Sequence, residues 1–273
     1  MIGIKRVMLL FFLIVFFAGV YVFLEPFFLQ EKYIVFPHSN IPPQFRGTRI
    51  VFLTDIHHGP FFSKERLGRL VERVNDLHPH IVLLGGDYVH RSSHYIEHCF
   101  DELGNLETTL GSYGVLGNHD HWEDAALTRE CMVKAGIRPI DNAAYWIGKD
   151  GGRIKVGGVG DYLEDVQDIE PMLDGVGDGD FTILVTHNPD YVEDMMTDKI
   201  DLVLAGHTHG GQVTFFGLWA PFTSSKFGQK YRTGIVETGR TRVIISNGIG
   251  TITPPVRFFA RPQIIIIDLL DAR

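Results

Sequence analysis

The chain has 273 residues, 45% hydrophobic and 21% charged, with a net charge of −8. That is ordinary for a globular protein, and the charge argues against broad electrostatic binding to nucleic acid, which calls for a basic face, so no nucleic-acid partner is expected. Two cysteines, Cys99 and Cys131, are too few for a disulfide framework and read as buried thiols. Residues 7–24 (VMLLFFLIVFFAGVYVFL) form an uncharged apolar run between Lys5-Arg6 and Glu25-Pro26, just long enough to cross a bilayer. No A-x-A-like exit for a cleaved signal peptide follows it. Residues 1–29 are therefore expected to anchor the protein in a bacterial inner membrane. The positive-inside rule puts the N-terminus in the cytoplasm, but two basic residues leave the side of the body open. Residues 30–45, rich in proline and poor in periodicity, read as a linker, and 46–273 as one catalytic domain.

IVFLT (50–54) and IVLL (81–84) have the composition of buried strands, separated by a helix capped at Ser63 with apolar positions Leu67, Leu70, Val71, Val74 and Leu77. A second helix is expected over 95–109, a strand at YGVLG (113–117) and a third helix over 122–135 ending at Gly136. IRPI, AYWI and RIKVGGV suggest short strands, the last two joined by the KDGG turn. FTILVT (181–186), a short helix near 189–197 and DLVLA (201–205) follow. Four more strands are then expected: QVTFF, YRTGIVE, RVIIS and IIIIDLL. Strand–helix alternation followed by strands implies two mixed sheets with helices outside.

Five polar strings close five of these strands: D-I-H (55–57), GGD (85–87), GNHD (117–120), THNPD (186–190) and GHTHGG (206–211). Ligands of open α/β sheets gather at such strand ends. Asp55 and His57, like His207 and His209, are two residues apart, and in an extended chain such pairs share a side. Asp87 can bridge two cations, while Asn118 offers a carbonyl oxygen and His187 another imidazole. Imidazole, carboxylate and amide together suit Mn²⁺, Fe or Zn²⁺ better than Ca²⁺. Two such ions clamp phosphate oxygens and lower the pKa of a bridging water. His119, adjacent to a ligand, is placed to donate a proton, and Asp120 to orient its ring. Any one string alone reads more readily as turn chemistry; five after five strands do not.

The strings DIHHG, GGDYV, GNHD, THNPD and GHTHGGQ, in this order, resemble the signatures of the calcineurin-like metallophosphoesterases. The anchor, HNPD, GHTHGGQV and KYRTG (230–234) are similar to the membrane-associated bacterial YaeI/YkuE-like branch. The resemblance implies an α/β fold, a four-layer α/β/β/α sandwich behind one transmembrane helix. It also implies two divalent metals, Mn²⁺ first, with Fe or Zn²⁺ as alternatives. Asp55, His57, Asp87 and His209 would hold one, and Asp87, Asn118, His187 and His207 the other, with His119 as the catalytic histidine. The implied activity is hydrolysis of a phosphodiester or pyrophosphate bond, with the tether favouring a phosphorylated, lipid-linked small molecule. UDP-2,3-diacylglucosamine of lipid A synthesis is the leading specific substrate, although it is cytoplasmic and the N-terminal charges suggest an external body. A phosphomonoesterase or phosphoprotein phosphatase, and a non-catalytic metal-binding scaffold, stand as alternatives.

His58 and His121 read as pocket-lining or solvated, and His78, His80, His90, His94 and His98 as surface residues. In QVTFFGLWAPF (212–222), a buried strand and turn competes evenly with an apolar lip that rests on the bilayer or takes acyl chains. Arg257 and Arg261 are candidate phosphate-binding residues, although solvated arginines are the plainer reading. Oligomeric state is not legible.

Overall fold

Ile2–Leu24 form one helix, α1, in the computed structural model, which describes residues 2–239 and 241–272. An 18-residue window within Ile4–Phe27 is not buried in the body, and the mean hydropathy is 2.9, so α1 is long and apolar enough to span a membrane.

The first sheet is built from β1 (Gln30–His38), β2 (Arg49–Leu53), β3 (Ile81–Leu84), β4 (Ser112–Gly114), β5 (Ile137–Pro139) and β12 (Gln263–Asp271). Its spatial order is β1-β12-β2-β3-β4-β5. The second holds β6 (Ala143–Lys149), β7 (Gly152–Gly158), β8 (Thr182–Val185), β9 (Leu202–Ala205), β10 (Gly234–Thr238) and β11 (Thr241–Ile245), in the order β10-β11-β9-β8-β7-β6. Both sheets are mixed: β2 to β5 run parallel with β12 antiparallel to β2, and β7, β8, β9 and β11 run parallel with β6 and β10 antiparallel at the edges.

The two-residue period of the strands sorts the core. In β2, Ile50 and Phe52 point between the sheets to meet Ile183, Val185, Leu202 and Leu204. Val51 and Leu53 point outward to helices α2 (Lys64–Asp76), α3 (His94–Leu103) and α4 (Asn118–Lys134). The Ser63 hydroxyl caps α2 as expected, accepting from the Arg66 N–H. Outside the second sheet the fourth layer is thin: α5 (Glu170–Leu173) and single turns carry Met172, Tyr191 and Tyr231 onto Leu184, Val203 and Val243. The four-layer α/β/β/α sandwich is the observed fold.

Residues 30–45 are not a linker. They form β1, paired parallel with β12 from Gln30↔Gln263 to His38↔Asp271, followed by a turn at Pro43–Phe45. Ile34, Phe36, Ile41 and Phe45 are buried between the sheets while Val35 is exposed. Pro37 hides the alternation, and an edge strand is where proline is tolerated. The folded body therefore begins before residue 46. Other differences are local. The helix expected near 189–197 is one 3-10 turn, Pro189–Glu193, and QVTFF forms no strand, only isolated bridges. The third helix starts earlier, at Asn118, and is broken at Asp124, whose φ is −174°.

Candidate metal centre

Because β2, β3 and β4 run parallel in one sheet and β8 and β9 in the other, their C-terminal ends deliver all five polar strings to one end of the sandwich. The exits of β2 and β3 stay in register beyond the strands. Asp55 N–H donates to Gly86 O at 2.9 Å, His57 N–H to Asp87 O at 3.0 Å and His58 N–H to Tyr88 O at 2.8 Å. The expected residues converge. Asp55, His57 and His209 form one cluster with candidate ligand atoms within 4.8 Å of one another, and Asp87, His187 and His207 form another. Asp87 joins the two: its Oδ2 lies 3.3 Å from His187 Nε2 and 3.5 Å from His57 Nε2.

The convergence does not come from extended chain. Asp55, His57, Asp87, His207 and His209 all take φ between 49° and 66°, a left-handed conformation costly for side-chain-bearing residues. Such strain, about 1–3 kcal/mol per residue, concentrates at functional sites and persists where tertiary bonds impose it. Here the Asp55 carboxylate accepts from the His207 N–H at 3.0 Å and from the Thr54 hydroxyl at 2.8 Å. Glycine is obligatory at two neighbouring points: a Cβ on Gly117 would sit 2.3 Å from Asp87 Oδ1, and one on Gly206 2.3 Å from Asp55 Oδ2.

The donor set fits divalent cations. His57 Nε2 and His209 Nε2 approach to 3.1 Å, and His207 Nδ1 and His187 Nε2 to 3.2 Å, so four imidazole nitrogens face one another in pairs. Burial holds His57 and His209 well below the usual imidazole pKa and His207 down to about 3, which leaves their lone pairs free. The Asn118 Oδ1 atom is buried without a hydrogen-bond partner, as a ligand oxygen would be. His187 Nδ1 donates to Gly85 O at 2.7 Å, which points its Nε2 at Asp87.

Three expected roles change. Asp120 does not orient His119. It is fully buried, and its carboxylate accepts the backbone N–H groups of Asp87 (2.8 Å), Gly117 (2.9 Å) and Tyr88 (2.9 Å), pinning the Asp87 turn to the start of α4. Arg257 is not a phosphate ligand. It is 0% exposed and donates to the carbonyls of Asn247, Gly250 and Ala260. Arg261 is exposed with its guanidinium 5.9 Å from the Phe28 ring centroid, and it is not among the residues that bound the cleft over the centre.

His119 is half-buried at the edge of the centre. Its backbone N–H donates to Asp87 Oδ1 at 2.9 Å and its ring packs 4.7 Å from His57 and 4.6 Å from Trp122. Sequence reasoning missed His90. Buried, with its pKa pulled down to about 4 by burial, it forms a third cluster with His57 and His119. The missed signal is GGDYVH, whose third residue after Asp87 is carried beside His57 by the paired exits. His58 is structural, its Nδ1 donating to Phe62 O at 2.8 Å, and His121 lies 4.0 Å from Asp165. An open cleft of about 360 Å³ lies over the centre, bounded by His90, Arg91, His119, Trp122, Phe222 and Thr253.

A profile of the calcineurin-like phosphoesterase family matches residues 48–211. The chain is 29% identical over 253 residues to an uncharacterized metallophosphoesterase, YkuE, of Bacillus subtilis (strain 168), covering 90% of this chain and 87% of that one. A Helicobacter pylori (strain J99 / ATCC 700824) metallophosphoesterase is 31% identical over 81% of this chain, which spans 60% of that protein's length. A Danio rerio transmembrane protein with metallophosphoesterase domain is 29% identical over 86% of this chain and 56% of its own. Among solved structures, the NAD nucleotidase of Haemophilus influenzae has a TM-score of 0.51 at 12% identity, over 74% of this chain and 45% of that one, a likeness of fold.

Proposed function

Since the chain belongs to the calcineurin-like phosphoesterases and is a metal-dependent phosphoesterase, we propose that it is a membrane-anchored hydrolase that cleaves a phosphodiester or pyrophosphate bond of a lipid-linked substrate. The observation that carries the reading is Asp87 between two imidazole clusters, beneath a cleft whose rim is apolar at Trp122 and Phe222. In this reading Asp55, His57, Asp87 and His209 hold one divalent cation, and Asp87, Asn118, His187 and His207 the other. Such a pair, Mn²⁺ being the first candidate, supplies charge for phosphate oxygens and an acidified water.

The rest falls to the chain's own groups. His119 stands at the cleft edge to donate a proton to the leaving oxygen, its ring held by His57, His90 and Trp122 and its backbone by Asp87. Burial keeps His90 neutral beside it, so the His90 ring brings no positive charge next to His119. Arg91 offers a cation at the cleft for the remaining substrate charge. In this reading α1, long and apolar enough to span a membrane, tethers the body to a bacterial cell membrane, which would raise the local concentration of a lipid-borne substrate.

Full-length protein in detergent with Mn²⁺ is expected to hydrolyse bis-p-nitrophenyl phosphate faster than p-nitrophenyl phosphate and to lose turnover on chelation. His119→Ala is expected to lower kcat about 10²–10⁴-fold with metal content unchanged. Full activity in His119→Ala would remove the proton-donor role, and preference for the monoester would make it a phosphomonoesterase. UDP-2,3-diacylglucosamine, assayed alongside, tests the specific substrate.

A further inference from the structure

The segment 213–222 presents large apolar side chains to solvent where neither folding nor solubility calls for them. Leu218 is 79% exposed, Phe222 71%, Phe215 65%, and Phe216 and Trp219 more than half. The display is held in place. Phe215 and Trp219 pair across a tight turn, the Gly217 N–H donates to the Thr214 hydroxyl at 2.8 Å, and the Thr214 N–H donates to Phe258 O at 2.9 Å. Phe216 and Phe259 both sit at φ 52°, a backbone that phenylalanine adopts only under constraint.

The same surface runs without a break into the membrane anchor. Ring centroids step from Phe215 to Phe216 (4.9 Å), to Phe259 (5.2 Å) and to Tyr21 of α1 (5.9 Å). Tyr21 lies three residues before the helix end at Leu24, so it stands about 4.5 Å inside the exit of the span. The junction is bonded as well as packed. Both Glu25 carboxylate oxygens accept backbone N–H groups, from Phe259 and Ala260 at 2.7 Å each, and the Arg257 N–H donates to Val22 O at 2.9 Å. The anchor thus ends bonded to the 257–260 segment that carries the apolar turn, and Phe222, on the other side of that turn, borders the cleft.

We propose that the 213–219 turn, with Phe259 and the anchor's Phe27 and Phe28, is an interfacial foot that seats the body on the bilayer and brings the cleft to the headgroup layer of its own leaflet. The occupant is the membrane that holds α1, because the apolar surface is continuous with that helix. This deepens the lipid-linked reading by stating where the substrate enters: sideways from the leaflet.

The test uses full-length protein in vesicles of phosphatidylethanolamine and phosphatidylglycerol. An environment-sensitive fluorophore is placed on Leu218→Cys, and a control on Met196→Cys, which is 94% exposed on the body; both native cysteines are buried. The Leu218→Cys label is expected to emit blue-shifted and to be quenched by nitroxides on acyl chains, while the Met196→Cys label reports water. Two results overturn the proposal: a Leu218→Cys label in water, or one shielded from water yet untouched by acyl-chain nitroxides, which means a second copy covers the surface. In parallel, Phe215→Ser/Phe216→Ser/Leu218→Ser/Trp219→Ser is expected to keep hydrolysis of bis-p-nitrophenyl phosphate and to lose roughly tenfold or more on a vesicle-borne phosphodiester. A seated label with no cleavage of any vesicle-borne diester supports the foot and sinks only the lipid-substrate reading.

Discussion

At the residue scale, Asp120 shows how a side chain beside a reactive group can serve it through the backbone. Its two oxygens accept three N–H groups from both sides of the Asp87 turn, and a carboxylate is acceptor-only where an amide is not. Asp120→Asn must aim its NH₂ at one of those donors. The expected cost is about 1–3 kcal/mol of stability, read as a lower Tm, together with weaker cation binding as the Asp87 turn loosens. At saturating metal, kcat and its pH profile should change little. An aspartate that oriented His119 would give the reverse, a normal Tm and a displaced pH profile, and kinetics with calorimetry separate the two. The seven residues proposed as metal ligands were legible because each follows a buried strand in a short polar string. Their left-handed backbones were not, since tertiary bonds such as that from the His207 N–H to Asp55 impose them, and residue type does not announce them. Nor was the fate of Arg257, whose donors are spent on carbonyls that only the fold assembles.

At the element scale, β1 decides where the protein can be cut. The helices and central strands were readable from periodicity because each buries one stripe or one uninterrupted run. β1 was not, because Pro37 interrupts it and its partner β12 lies more than two hundred residues away at the other end of the chain. A chain begun at Arg46 would remove Ile34, Phe36, Ile41 and Phe45 from the layer between the sheets and leave β12 as a bare edge. At roughly 1.5–3 kcal/mol for each buried side chain, that is roughly 6–12 kcal/mol, comparable to the whole stability of a domain. Residues 46–273 should therefore be insoluble or unfolded by circular dichroism. Residues 25–273, which keep β1 and the Glu25 bonds to Phe259 and Ala260, should melt cooperatively. A well-folded 46–273 chain would show that β1 is dispensable.

At the scale of the whole molecule, the centre links stability, pH and metal in one balance. Burial lowers the pKa of His187, but the Asp87 carboxylate outweighs it and holds the imidazole well above its usual value. Burial also raises Asp55 to about 6. Both folded pKa values exceed the unfolded ones, about 6.5 and 3.9. Their contributions to the metal-free protein are thus complete below those unfolded values and lost as pH rises through the folded ones. For Asp55 the loss falls between about pH 4 and pH 6; for His187 it lies higher, through its raised value. A cation must displace the same protons, so its affinity rises with pH. A bound cation stabilises by RT ln(1 + [L]/Kd), so its stabilisation grows with that affinity. The increase in Tm produced by a fixed Mn²⁺ concentration should therefore be small at pH 5.5 and large at pH 7.5, with protons released on binding in calorimetry. In Asp87→Asn the His187 imidazole loses its carboxylate and its pKa falls, so proton release should shrink along with the metal effect. A Tm increase independent of pH in the native chain would mean that the cations bind elsewhere than at Asp55, Asp87 and His187.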